Sequence, residues 1–239
     1  MQKKKMNIDL YEGFWIFFVG SFMGVFIETL YCLVKNGYFE SRQGLIYGPF
    51  NLVYGLGALL ITLILKKIKT KNVINIFCIS FVIGSLFEYV CSAFQEYIFG
   101  TVSWEYSHKF LNINGRITLL YSIFWGILGV LWLKIIYPKY KKVIVNIPDD
   151  MLKAITYILL VFMIFNSFIS FAATYRRNER YYGIHANNSF EQYLDKNYPD
   201  DFIDDVYPNA IHIKLEKWVY SFFFWTCITL NRWFYAYND

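Results

Sequence analysis

The chain of 239 residues is 56% hydrophobic and 22% aromatic, with only 17% charged residues, against roughly 25% charged in an ordinary soluble domain. That balance excludes a disordered or collagen-like chain and argues against a soluble enzyme, while five Pro and 14 Gly leave no room for a long flexible linker. The net charge of +5 does not point to nucleic acid, because the lysines stand in short clusters between apolar runs, where they act as signals of membrane topology.

A bilayer core about 30 Å thick needs about 20 mostly apolar helical residues. In chain order, residues 14–34 (with Glu28), 47–65, 73–95 (with Glu88), 117–136 (with Lys134 near its end) and 154–174 read as spans. Residues 218–230 stop short at Asn231 and Arg232. They make a sixth span if Arg232 snorkels and residues 233–237 continue the helix, and otherwise an aromatic anchor at the interface. The expected fold is an all-α polytopic transmembrane bundle of five to six spans. Residues 1–150 would form a four-span core, and residues 151–239 the fifth span, a polar acidic segment at 175–217 and the C-terminal aromatic helix at 218–237.

The clusters Lys3 to Lys5, Lys66/Lys67/Lys69/Lys71 and Lys134/Lys139/Lys141/Lys142/Lys153 hold twelve positive charges, and the alternate loops hold four, Lys35, Arg42, Lys109 and Arg116. This bias predicts a multi-pass protein of the cell membrane with a cytoplasmic amino terminus, its first span retained as a signal anchor. Arg176, Arg177 and Arg180 run against it, because they follow the fifth span on the predicted outer side. The 175–217 segment carries eight acidic and six basic residues. Residues 190–194 have helical spacing with Asn187 or Ser189 as cap, Tyr198-Pro199-Asp200-Asp201 and Tyr207-Pro208-Asn209 read as turns, and the whole reads as a solvated acidic cap. EF-hand spacing is absent. The four cysteines lie in apolar runs without CxxC spacing and read as packing residues.

The first and third spans align at an offset of 60, Gly20, Gly24, Glu28 and Cys32 falling on Ser80, Gly84, Glu88 and Ser92. A recurrence every four residues makes one helical stripe, and small residues on it let helices approach closely in lipid. The partner spans align at an offset of 71, with Gly44, Tyr54 and Gly55 on Gly115, Trp125 and Gly126. Residues of about 14–65 and 73–136 thus read as a duplicated parallel two-span repeat.

Glu28 and Glu88 are the sharpest candidates, because a carboxylate inside a span costs roughly 2.5–3.5 kcal/mol on insertion scales and normally faces the bundle or a wet cavity. One reading is a shared proton, cation or substrate site; the other is a structural staple in which each glutamate pairs with Arg42 or Arg116. Helix starts at Gly48 and Gly115, with Pro49 in the first turn, would aim free N–H groups at an outer vestibule shaped by Arg42, Asn112, Asn114 and Arg116. An anionic ligand suits such a vestibule, and an aromatic interfacial belt around Trp104 and Tyr106 is the plainer reading. Walker, GxSxG, HExxH and GxGxxG motifs are absent, and His108, His185 and His212 lack ligand spacing, so no enzyme, metal or cofactor is expected.

Gly44-Leu45-Ile46-Tyr47-Gly48-Pro49-Phe50 with Tyr54-Gly55, and Trp104-Glu105-Tyr106-Ser107 followed by Asn112-x-Asn114-Gly115-Arg116 and Trp125-Gly126, resemble motifs of the CmpB-like membrane family of type IV ABC-transporter permeases. The tail is similar too, in Tyr175-Arg176, Glu179-Arg180-Tyr181, Tyr198-Pro199-Asp200 and Tyr207-Pro208-Asn209. The resemblance implies a permease that works in the lipid bilayer with a separate ABC ATPase subunit, since the chain has no nucleotide-binding motif. Self-association as a homo-oligomer stays open. The alternative is a non-transporting membrane scaffold or sensor that binds a lipid or protein partner. A membrane enzyme acting on lipid ranks third.

Overall fold

The computed structural model describes residues 10–212; the aromatic helix expected at 218–237 lies outside the described residues. The elements are α1 (Leu10–Asn36), α2 (Leu52–Ile68), α3 (Val73–Phe99), β1 (Thr101–Val102), β2 (Asn112–Ile113), β3 (Ile117–Thr118), α4 (Leu119–Leu131), a π-helical turn (Trp132–Ile136), α5 (Tyr137–Val145), α6 (Asp149–Tyr181), α7 (Ser189–Asn197), α8 (Asp200–Val206) and β4 (Ile211–His212). Among the described residues, four stretches are long and apolar enough to cross a membrane: α1, α3, the continuous run Leu119–Val145 and α6. The chain is a multi-pass helical membrane protein. At 17 residues, α2 is shorter than these and stands at the lower limit of about 17 for a span.

The second helix begins later than its apolar run suggested. Residues 44–50 fold into a tight loop in which the N–H groups of Gly44 and Leu45 both donate to the Phe50 carbonyl, at 2.8 and 3.1 Å. Gly48 has φ +76°, a left-handed value that ends helical continuity and favours glycine. Asn51 then caps α2, its side chain accepting from the Val53 N–H at 3.0 Å. Pro49 therefore precedes the helix instead of opening it. Gly115 is likewise a turn residue, φ +67°, in the β2–β3 hairpin, and α4 starts at Leu119.

α1 packs antiparallel on α2, and α3 on α4. The small-residue stripe makes both contacts: a Cβ on Gly24 would overlap the Tyr54 ring, and one on Gly84 would overlap Trp125. Closer to the lysine-rich end, Gly20 faces Ala58 and Ser80 faces Gly129. Trp125 also lies against Gly57, and Tyr54 approaches it with ring centroids 5.9 Å apart, so the two hairpins meet at their large aromatics. Trp132 adds a second link, donating its Nε1–H to Thr62 Oγ1 at 2.8 Å. α6 runs along α1, where Trp15 donates to Thr156 Oγ1 at 2.9 Å.

Leu45, Ile46 and Phe50 of the 44–50 loop are buried, and its backbone needs polar partners, because irregular backbone at membrane depth must be satisfied by protein. α6 supplies them. Asn166 accepts from the Tyr47 N–H at 3.1 Å and donates to its carbonyl at 2.6 Å, and Ser170 Oγ accepts from the Ile46 N–H at 2.9 Å. Beyond α6, the chain folds back over the same end. Ile46, Ile169, Ala173, Leu194, Tyr198, Ile203 and Val206 form one apolar cluster, and β1 pairs antiparallel with β4.

The arginines in the last turns of α6 have a structural destination. Arg176, 2% exposed, grips Asp195 through Nε and Nη2 at 2.8 and 3.0 Å and Glu179 through Nη1 at 2.9 Å. Arg180 joins Asp195 and Asp200, each at 2.6 Å, and Arg177 joins Asp204. These acids of the 175–217 segment are thus engaged by arginines, and the helix expected around 190–194 is capped by Asn188, between the two residues expected to do so.

Two outcomes are expected. Gly84→Leu places a branched side chain in the Trp125 ring and lowers stability by about 1–3 kcal/mol, as overpacking does, read as a fall in unfolding temperature in detergent. Hydrogen bonds from Arg176 hold the Asp195 carboxyl below its usual range against the opposing cost of burial. A depressed carboxyl contributes stability that is present above its unfolded value, about 3.9, and lost as pH falls through the folded one. The protection of residues 189–206 against hydrogen exchange, taken relative to the unfolded chain at each pH, should therefore be full at neutral pH and fall below about pH 4.

Candidate functional site

Glu28 and Glu88 face the place where the two hairpins meet, toward the end that carries the loops and the α7–α8 cap. Each hairpin brings one carboxylate and one large aromatic: Glu28 on α1 stands one turn beyond the Gly24 that seats the Tyr54 ring of α2, and Glu88 on α3 takes the Trp125 Nε1–H of α4 at 2.9 Å. The Tyr54 and Trp125 rings meet there with centroids 5.9 Å apart. Glu88 is buried, 7% exposed, and accepts a second, longer bond from the Tyr106 hydroxyl at 3.5 Å. Burial, and then the charge of Glu88, push the Tyr106 hydroxyl up, so it remains a protonated donor across the ordinary pH range.

An aromatic wall surrounds the pair. Tyr106 stacks on Tyr121 at 4.6 Å, Tyr121 meets Phe124 at 5.7 Å, and Phe124 meets Tyr31 at 5.4 Å. Arg42 is the cation of the site. Its Nη2 bonds Glu40 Oε2 at 2.7 Å, while its Nη1 stands 3.9 Å from Glu28 Oε1. Among the described residues, Glu88 has no ion-pair partner. Two membrane carboxylates, Glu28 beside an arginine already bonded to Glu40 and Glu88 held only by neutral donors, form a site of net negative charge, suited to a proton, a cation or a cationic group.

The other candidates fall into an adjoining cluster. Arg116 pairs with Glu96 at 2.5 Å, donates to Ser92 Oγ at 3.2 Å and lies over the Tyr89 ring at 5.7 Å; it does not reach Glu88 as a staple. Asn114, at φ +52°, donates to the Tyr89 hydroxyl at 2.8 Å. Asn112 builds the hairpin itself, donating to the Ser107 and Lys109 carbonyls and accepting from the Gly115 N–H. Glu105 also serves the loop: hydrogen bonds from the Ser107 hydroxyl and N–H hold its carboxyl below the usual range. The structure thus joins Glu28, Glu88 and Arg42, and places Asn112, Asn114 and Arg116 beside them around Tyr89.

Sequence reasoning singled out Tyr54 and Trp125 as motif residues without seeing that both rings seat on the glycines beside the glutamates and that Trp125 hydrogen-bonds Glu88. It missed Tyr31, Glu40, Tyr106 and Tyr121 as site residues. A signal for two of them exists: Tyr31 is three residues past Glu28 and Tyr121 four before Trp125, both on the same helical faces. Trp125→Phe removes the short donor to a buried carboxylate and is expected to cost about 1–3 kcal/mol. Tyr106→Phe removes only the long one and should cost less, the two compared by thermal unfolding.

A family model matches residues 15–171, from α1 to within α6, so it takes in both hairpins and the glutamate pair but stops short of the α7–α8 cap. No curated protein and no solved structure matches the chain. With well over half of its length matched, the chain belongs to the CmpB family of membrane proteins, described as "Putative ABC-transporter type IV".

Proposed function

We propose that the chain is the permease component of an ABC-type transporter, without catalytic activity of its own, dependent on a separate ATPase subunit, with Glu28 and Glu88 as its ion- or substrate-binding pair. The observation that carries this reading is the meeting of two carboxylates from α1 and α3 where the two helical hairpins touch. Each is costly inside an apolar span, and simple stability is served better by an apolar residue at either place. Arg42, and beside it Asn112, Asn114 and Arg116, would shape the approach from the loops.

Several features support the finer parts. α2 alternates in direction with its neighbours, which makes it a fifth span at the short end of the usual range, with residues 218–237 as a sixth span or an interfacial helix. Gly24 under Tyr54 and Gly84 under Trp125, with a glutamate one turn beyond each glycine, are what a duplicated two-span unit would leave. The lysine clusters favour a cytoplasmic amino terminus in the cell membrane.

The second reading, a non-transporting scaffold or sensor that binds a lipid or protein partner, draws on the cap, which three arginines lock over the loop end. Glu28→Gln and Glu88→Gln should each leave expression and folding intact and abolish the transport or growth phenotype of the gene; an unchanged phenotype in both sinks the site. Purification in mild detergent should bring down a Walker-type ATPase, and its consistent absence from folded protein would favour the scaffold.

A further inference from the structure

At the end opposite the cap, α3 begins beside the close of α4, and between them runs a groove of about 350 Å³ lined by Val73, Ile74, Phe77, Ile127, Val130 and Leu131. Its lining is wholly apolar. The groove lies on the outer surface of two membrane-crossing stretches, with Ile74 70% exposed. Phe77 seats against Gly126, where a Cβ would collide with the ring, and this close seat keeps α3 and α4 together along the groove floor.

Two lysines mark its mouth. Lys134 lies four residues beyond Val130, one turn along the same face of the helix, and Lys71 stands two residues before Val73. They are drawn together, because the Lys134 ammonium donates to the Lys71 carbonyl at 2.7 Å. Among the described residues, no carboxylate forms an ion pair with either ammonium. This differs from the neighbouring Lys66 and Lys141, whose ammonium groups share the Glu12 carboxylate at 2.9 and 3.7 Å. An apolar groove that ends at two unneutralised cations suits an amphiphile with an anionic head.

We propose that this groove is a binding site for an anionic phospholipid, an acyl chain lying along Val73, Ile74, Phe77, Ile127, Val130 and Leu131 and the phosphate held by Lys71 and Lys134. Charge selects the lipid class. A zwitterionic headgroup presents a cation beside its phosphate and gains little from two ammonium groups, whereas an anionic one gains from both. The site is separate from the glutamate pair, so it stands or falls apart from any transport activity.

The test uses the full chain, purified in a mild detergent and reconstituted in nanodiscs of phosphatidylcholine with a minor fraction of phosphatidylglycerol, and counts the lipids retained by native mass spectrometry. Phosphatidylglycerol should be retained over phosphatidylcholine, and Lys71→Gln and Lys134→Gln should each weaken retention about fivefold, the worth of one lysine near an anionic surface. Lys134→Arg should restore it, which separates lost charge from lost folding. Ile127→Trp, which fills the groove, should weaken retention with both lysines present, and free glycerol phosphate should not compete. Equal retention of the two lipids overturns the proposal, as does wild-type retention by the double lysine variant. Competition by glycerol phosphate overturns it as well, since the site would then be one for phosphate alone.

Discussion

The closeness of the two helical hairpins rests on ring-over-glycine contacts, Tyr54 on Gly24 and Trp125 on Gly84. Helices in lipid gain little from hydrophobicity and associate through close packing, so a missing Cβ is what lets a large ring reach the partner backbone. Trp125 then serves a second purpose. It turns its Nε1–H to Glu88, one turn beyond its glycine, so the contact that closes this hairpin also solvates the carboxylate. Remove the glycine and the ring moves; move the ring and a buried carboxylate loses its donor, a cost of about 1–3 kcal/mol on its own. Packing and site are therefore one arrangement, and neither can drift without the other.

The loop end is held by a different force. The irregular 44–50 loop would be costly in lipid without partners, and Asn166 and Ser170 of α6 meet its backbone directly. α6 thereby fixes the loop that carries Arg42 toward Glu28, and the cap docks on the outer face of the same loop through Ile46. The order of dependence runs from α6 to loop to Arg42, which explains how a helix that contributes no residue to the glutamate pair still sets its electrostatics.

Much of this was legible in the sequence, and the limits have physical causes. Apolar length announced the membrane helices, and the four-residue recurrence of small residues announced the stripe. Helix starts were misplaced at Gly48 and Gly115, because an apolar run with a proline near its head reads as continuous helix, while the positive φ of both glycines depends on tertiary contacts that composition does not record. The pairing of Arg116 with Glu96 instead of Glu88 was hidden for a similar reason. A helical register gives the direction of Glu88, but only the hairpin conformation decides where an arginine three-dimensionally nearby can reach. The tyrosines Tyr31, Tyr106 and Tyr121 stayed unseen because in so aromatic a chain any one of them reads first as interfacial belt.

The basic residues separate into two chemistries, and this bears on orientation. All five arginines among the described residues, Arg42, Arg116, Arg176, Arg177 and Arg180, are paired with carboxylates, and all lie at the loop end. A planar guanidinium suits such fixed, bidentate pairing, whereas a lysine ammonium is a mobile, strongly hydrated charge. A cation already neutralised by a neighbouring acid within the fold adds little to the field that a membrane surface feels. The three arginines in the last turns of α6 therefore weigh little in a simple charge count. What remains unneutralised at the opposite end, Lys71 and Lys134 among it, is charge of the kind that anionic headgroups meet, so the residues proposed to select a lipid belong to the same lysine clusters that would orient the chain.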